Sequence, residues 1–215
     1  MTPEVYKATF SEDDAVGWLA IDQALEKVYG QQKPRHFAPA LHYMVGGSDP
    51  LDGISIYDSN HHLHIVSYGM SELYYNLESA SSEYSKWGFE FTFRLKPFAA
   101  DNGDPGWAMQ MMNNLARYVF NSKKWFEAYH FIPANGPIRL GTDTDIVGVA
   151  FVPDVELGTI DTPNGNVSFL QMVGLTTREL ERLKAHPYTG EVEKLIAEMR
   201  EGNPYLITDL ERSSQ

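Results

Sequence analysis

The sequence predicts an α/β fold of the α+β type: a mixed β-sheet packed with several helices. Three observations carry that expectation. Segments of period-2 alternation or short apolar runs are interspersed with segments of helical period,. The two kinds do not alternate strictly, which argues against a doubly wound parallel sheet. Finally, 215 residues with 43% hydrophobic and 13% aromatic content suffice for the core of one domain, expected over about residues 11–210,.

Taken in order, Ser11 is placed to cap a helix whose first turn holds Glu12, Asp13 and Asp14 and whose Trp18, Ile21, Leu25 and Val28 recur at helical spacing,. Gly30 and Pro34 end it. After a turn at Gly46 to Pro50, residues 53–57 and 63–68 read as two short strands,. Residues 89–95 are the clearest strand: Phe89, Phe91, Phe93 and Leu95 share one face, while Glu90, Thr92 and Arg94 share the other, where Glu90 and Arg94 are expected to join cross-strand ion pairs,.

Asp104-Pro105 opens a helix running to about Phe120, with Met111, Leu115, Tyr118 and Val119 as its apolar stripe,. Residues 121–141 read as irregular. Strands are expected at 146–152 and 167–173, with Pro163-Asn164-Gly165 as a turn between them,. Two helices follow, the first capped by Thr176 or Thr177, the second by Thr189 with Val192, Leu195, Ile196 and Met199 on one face,. Gly202-Asn203-Pro204 stops the second, residues 205–210 read as a last strand, and residues 211–215 as a frayed end,.

Charge and composition narrow the function. With 29 acidic against 17 basic residues, the formal charge of −12 repels phosphate backbones and anionic membranes, so nucleic acid is not expected as a partner,. The same charge speeds encounter with a basic protein. No run nears the roughly 18 apolar residues of a membrane span. Zero cysteines exclude disulfides and thiolate sites and fit a cytoplasmic location,.

Several words of the sequence then resemble one family. They are residues 46–57 (Gly46-Gly47-Ser48-Asp49-Pro50 through Tyr57), residues 62–74, residues 88–95, Leu115-Ala116-Arg117-Tyr118-Val119-Phe120, residues 169–174 and residues 206–209. In that order they are similar to the amino-terminal domain of the Suppressor of fused family. The resemblance implies one mixed α/β domain over residues 1–215, no enzymatic activity and no cofactor. It also implies a partner that is another protein. In animals the family clamps a short extended peptide of Gli transcription factors between two domains by strand addition. This chain reads as a short, single-domain, bacterial-like member without the second half of that clamp. The aspartate that follows the tyrosine word in the family is replaced near Tyr129. Short bacterial relatives imply a second possibility for the partner, a basic polymorphic toxin neutralised by an immunity protein.

Several residues stand out on that background as candidate sites. Tyr118, Arg117 and Tyr129, with the irregular segment beyond them, are the candidate partner surface, although Tyr118 also fits a packed helix stripe,. His61, His62 and His64 resemble a metal cluster, but a third ligand on the face of His62 and His64 is lacking, so they are expected as hydrogen-bonded residues,. Asp49 and Asp52 bracket Pro50-Leu51 and read as turn formers, and Asp143 and Asp145 as a solvated loop,. No nucleophile elbow, phosphate loop or dinucleotide fingerprint occurs,. The alternative reading is a hydrolase or metal-dependent enzyme built on Gly46 to His64.

Overall fold

A mixed sheet of eight strands forms the centre of the computed structural model, which describes residues 1–101 and 103–214. The strands are β1 (Arg35–Phe37), β2 (Gly53–Asp58), β3 (Leu63–Tyr68), β4 (Tyr84–Leu95), β5 (Phe131–Pro133), β6 (Ile146–Pro153), β7 (Thr159–Thr162) and β8 (Gly165–Thr176). Their order is β1-β2-β3-β4-β8-β6-β5, with β7 paired to β8 off that path. Only β4 and β8 run parallel; the other pairs are antiparallel. The expected α/β architecture is thus present.

Helices cover both faces. On one, α3 (Gly106–Ser122) sets Ala108, Met112, Ala116 and Val119 against Phe89, Phe91 and Phe93 of β4 and Phe151 of β6. On the other, α2 (Val16–Tyr29) covers Tyr57, Val66, Tyr68 and Phe169, while α4 (Thr177–Ala185) and α5 (Thr189–Gly202) cover Ala150, Val152, Val173 and Leu175. The buried row of α3 is one residue off the stripe read from sequence. Its small Ala108 and Ala116 let the helix sit close to the β4 aromatics, leaving Met111 and Leu115 half-buried at the flank,.

Other departures have local causes. Helix α1 (Pro3–Thr9) was not anticipated; it buries Tyr6, whose hydroxyl donates to Asn164 Oδ1 at 2.7 Å and accepts the Asn76 N–H at 3.0 Å. Helix α2 starts at Val16 rather than beside Ser11, because the Asp14 carboxylate takes the N–H and hydroxyl of Ser11. The first amides of α2, from Gly17 and Trp18, donate instead to the Leu73 carbonyl, and a Cβ at Gly17 would lie 2.0 Å from the Glu72 carbonyl oxygen. Thr176 caps α4 in a full capping box with Glu179,. For α5 the cap position is Tyr188, and Thr189 is already helical.

The turn at Pro163-Asn164-Gly165 joins β8 to β7, an unforeseen short strand with one apolar residue, rather than to β6. Residues 205–210 make only an isolated parallel bridge, Leu95 to Thr208, since Leu206 at φ 51 interrupts an extended run. The tail through Ser214 is tied down, with Ser214 donating to Asp145 and Arg212 to Glu179 and the Gly174 carbonyl; Gln215 lies outside the described residues. Asp145 is therefore no free loop carboxylate: hydrogen bonds from Ser214 and Thr177 hold its pKa down at about 2. No helix among the described residues is long and apolar enough to cross a membrane.

Candidate partner-binding site

Strand β5 ends the sheet. Its inner side pairs with β6, Ile132 opposite Val149, and no described strand pairs its outer side. It falls inside the segment expected to be irregular, because three residues carry no periodic signal. Alternate side chains face the two layers: Ile132 packs beside the α3 cluster and Phe131 beside the α4–α5 cluster. Between β5 and α3 runs a groove of about 620 Å³ bordered by Trp107, Met111, Leu115, Ile132, Pro133 and Leu140. Leu140 is 87% exposed at its rim. Arg139 closes the far end, bonded to Asp101 Oδ1 at 2.9 Å and set over the Phe98 ring.

The three candidate residues fall in different places. Tyr118 is 47% exposed, and its ring meets Phe126, which stacks on Phe151 of β6 at 4.3 Å. Tyr129, at φ 67, donates its N–H to the Phe151 carbonyl at 2.6 Å but packs its side chain into the α4–α5 layer. The two tyrosines thus approach Phe151, one strand in from the edge, from opposite faces of the sheet. Arg117 joins neither: its guanidinium pairs with Asp49 and Asn114, pinning α3 to the loop before β2.

That pairing also corrects the turn reading of the aspartates. Asp49 accepts from Arg117, and Asp52 contacts His42 Nδ1 at 3.0 Å, so both carboxylates serve tertiary contacts rather than their own backbone. Both are partnered, which disfavours an enzymatic dyad there.

The polar face of β4, expected to carry cross-strand ion pairs, is a buried network. Glu90, Thr92 and Arg94 are each fully buried beneath the α2 layer. Glu90 forms no ion pair among the described residues: it accepts the hydroxyls of Ser67 and Ser71, both at 2.6 Å, and the N–H groups of Gly69 and Ser71, both at 2.9 Å. Burial raises its pKa against those donors,. Arg94 reaches Asp154 at 3.0 Å, Glu156 at 2.9 Å and His62 Nε2 at 3.0 Å.

His64 lies between the Tyr29 hydroxyl at 2.7 Å and Asp154 Oδ2 at 3.1 Å. Asp154 further accepts the Thr92 hydroxyl and the N–H groups of Glu156 and Leu157. Burial alone would raise the Asp154 pKa, but His64, Arg94 and these donors together hold it well below the carboxylate range,. Burial, then the Arg94 charge, push His62 down to about 4, and burial lowers His64 as well. Both histidines are hydrogen-bonded, as expected, His64 from within β3 and His62 from the residue just before it. The network ties α2, β3, β4 and the loop after β6 into one unit.

Comparison with known proteins places this geometry. A family model described as Suppressor of fused protein (SUFU) matches residues 47–213. The Suppressor of fused homologs of Homo sapiens and Mus musculus are each 32% identical over 209 residues, covering 91% of this chain and 43% of theirs. The chain thus spans less than half the length of these curated relatives. The Sufu–Fu complex crystal structure superposes with a TM-score of 0.82 at 29% identity, covering 94% of this chain and 92% of the matched one. Drosophila Suppressor of Fused gives 0.82 at 28% identity, covering 95% of this chain and 52% of its own. A SUFU homolog from Neisseria gonorrhoeae shares the fold, with a TM-score of 0.63 at 17% identity over 92% of this chain and 96% of its own.

Proposed function

The chain belongs to the Suppressor of fused family, and from that premise we propose that it is a non-enzymatic domain holding an extended segment of another protein along the free edge of β5. One observation carries the reading: an edge strand with an unpaired outer side adjoins an apolar groove able to take the side chains of an added strand,. The matched chain of the Sufu–Fu complex is of nearly this length, which supports a domain of this size entering a complex. In this reading Tyr118 contacts the bound segment, Tyr129 braces β5 from behind, and Arg117 holds the 46–50 loop against α3.

The partner in this reading is a basic toxin, and the chain acts in the cytoplasm as its immunity protein. The charge of −12 supports that choice by favouring rapid capture of a cation-rich partner,. The test is affinity capture from native extract, followed by expression of the captured protein alone and together with this chain. One stoichiometric partner that is toxic alone and harmless with an equal amount of the chain is the expected result. A harmless partner overturns the toxin reading and leaves the binding reading standing; repeated recovery of no partner overturns both.

A further inference from the structure

A second groove, of about 560 Å³, lies where β4 and β8 begin and β6 ends, bordered also by Trp125 to Ala128 ahead of β5. Its walls are aromatic: Tyr84, Trp87, Phe126 and Trp125, of which Tyr84 is 58% and Trp125 54% exposed. Two large aromatic side chains left in water beside a hollow are the composition of a recognition surface rather than of a core.

The backbone is shaped toward this groove. Strand β4 slips register against β8 between Tyr84 and Phe89, a bulge in which Lys86 takes φ 54 and Gly88 φ 78. A lysine in the left-handed region is strained, and a bulge re-aims the side chains it carries. Here it sets Trp87 on the groove, while the ammonium of Lys86 is committed elsewhere, donating to the Gly69 carbonyl at 2.9 Å and lying 5.0 Å from the Phe120 ring.

The charge around it runs against that of the molecule. In a chain of net −12, residues 106–126 contain no Asp or Glu and include Arg117, Lys123 and Lys124. Arg117 is consumed by Asp49, whereas Lys123 lies 5.6 Å over the Trp87 ring and Lys124 adjoins Trp125. The groove's own acid, Glu127, accepts the Trp125 indole N–H at 3.1 Å. A helix C-terminus favours lysines on its own account. It does not account for the aromatic walls.

We propose that this groove binds an acidic peptide segment of a partner, one bulky apolar side chain entering between Trp125 and Trp87 while flanking carboxylates meet Lys123 and Lys124. The groove shares Phe126 with the surroundings of Tyr118, but the proposal rests on its own aromatic walls and lysines and does not require a strand to be added at β5. Occupation by a basic segment would place like charges together and is the competing outcome.

The test is fluorescence anisotropy with three labelled heptapeptides, each with a central phenylalanine flanked by glutamate, glutamine or lysine. The glutamate peptide is expected to bind saturably and at least about tenfold more tightly than the glutamine peptide, with the advantage shrinking from about 50 mM to about 500 mM salt. Trp125→Ala is expected to weaken it about tenfold. The double variant Lys123→Gln with Lys124→Gln is expected to flatten the salt dependence, near-ultraviolet circular dichroism confirming that each variant is folded. Equal binding of the glutamate and glutamine peptides, tighter binding of the lysine peptide, absence of saturable binding, or indifference to Trp125→Ala in folded protein each overturns the proposal.

Discussion

Replacing Arg94 by methionine tests whether the buried network holds the α2 layer to the sheet. The guanidinium is fully buried and its partners Asp154, Glu156 and His62 lie at 2.9–3.0 Å. Methionine keeps much of the apolar stem but leaves the Asp154 carboxylate buried without its cation. Breaking a buried pair from one side costs about 3–5 kcal/mol. The Asp154 carboxylate retains His64, the Thr92 hydroxyl and two backbone N–H groups, which places the expected loss near the lower bound, about 3 kcal/mol,. Urea unfolding followed by tryptophan fluorescence measures it, with an unchanged slope showing that the native state has not loosened. Adding Asp154→Asn completes a cycle in which the double variant should lose about 2 kcal/mol less than the sum of the single losses. A loss under about 1 kcal/mol for Arg94→Met, or strict additivity, would refute the network as a stabilising unit.

Three further outcomes follow from the same geometry. Because His62 is held near 4 in the folded chain against about 6.5 unfolded, the unfolded state binds the extra proton below pH 6.5; stability is full above that pH and declines toward pH 4,. Glu90, with its raised pKa, acts in the opposite sense in that range, so the readout is wild type against His62→Asn: the wild type should lose about 2–3 kcal/mol more between pH 6.5 and 4, and parallel curves would contradict it,. Gly165→Ala puts a Cβ at φ 108 within 2.8–2.9 Å of backbone at residues 82–85, and thermal unfolding should show about 2–4 kcal/mol of destabilisation,. Tyr118→Ala and Leu140→Asp, both at exposed positions, should change stability by under about 1 kcal/mol yet weaken partner capture; stability loss with capture intact would return Tyr118 to a packing role,.

The mixed sheet, the long strand 89–95, the helix after Pro105 and the Thr176 cap were legible, because each rests on local periodicity or capping chemistry. What failed was what local pattern cannot report. Alternation in β4 showed that Glu90, Thr92 and Arg94 share a face, but not that α2 and the loop after β6 would bury it. The start of α2 depends on the Leu73 carbonyl, far away in sequence, and so was misplaced. At the candidate site the word around Tyr118 falls on α3, with Tyr118 exposed on it. It could not separate Arg117, turned toward Asp49, from its exposed neighbour, and the three residues of β5 were invisible inside the 121–141 segment.

Hydrogen–deuterium exchange of the chain alone and with its captured partner bears most directly on β5 as the dock. An added strand on the open edge should slow exchange at Phe131, while the β1 edge, Arg35–Phe37, exchanges as before,. Unchanged exchange at β5 in a saturated complex would contradict the account and move the dock elsewhere on the domain.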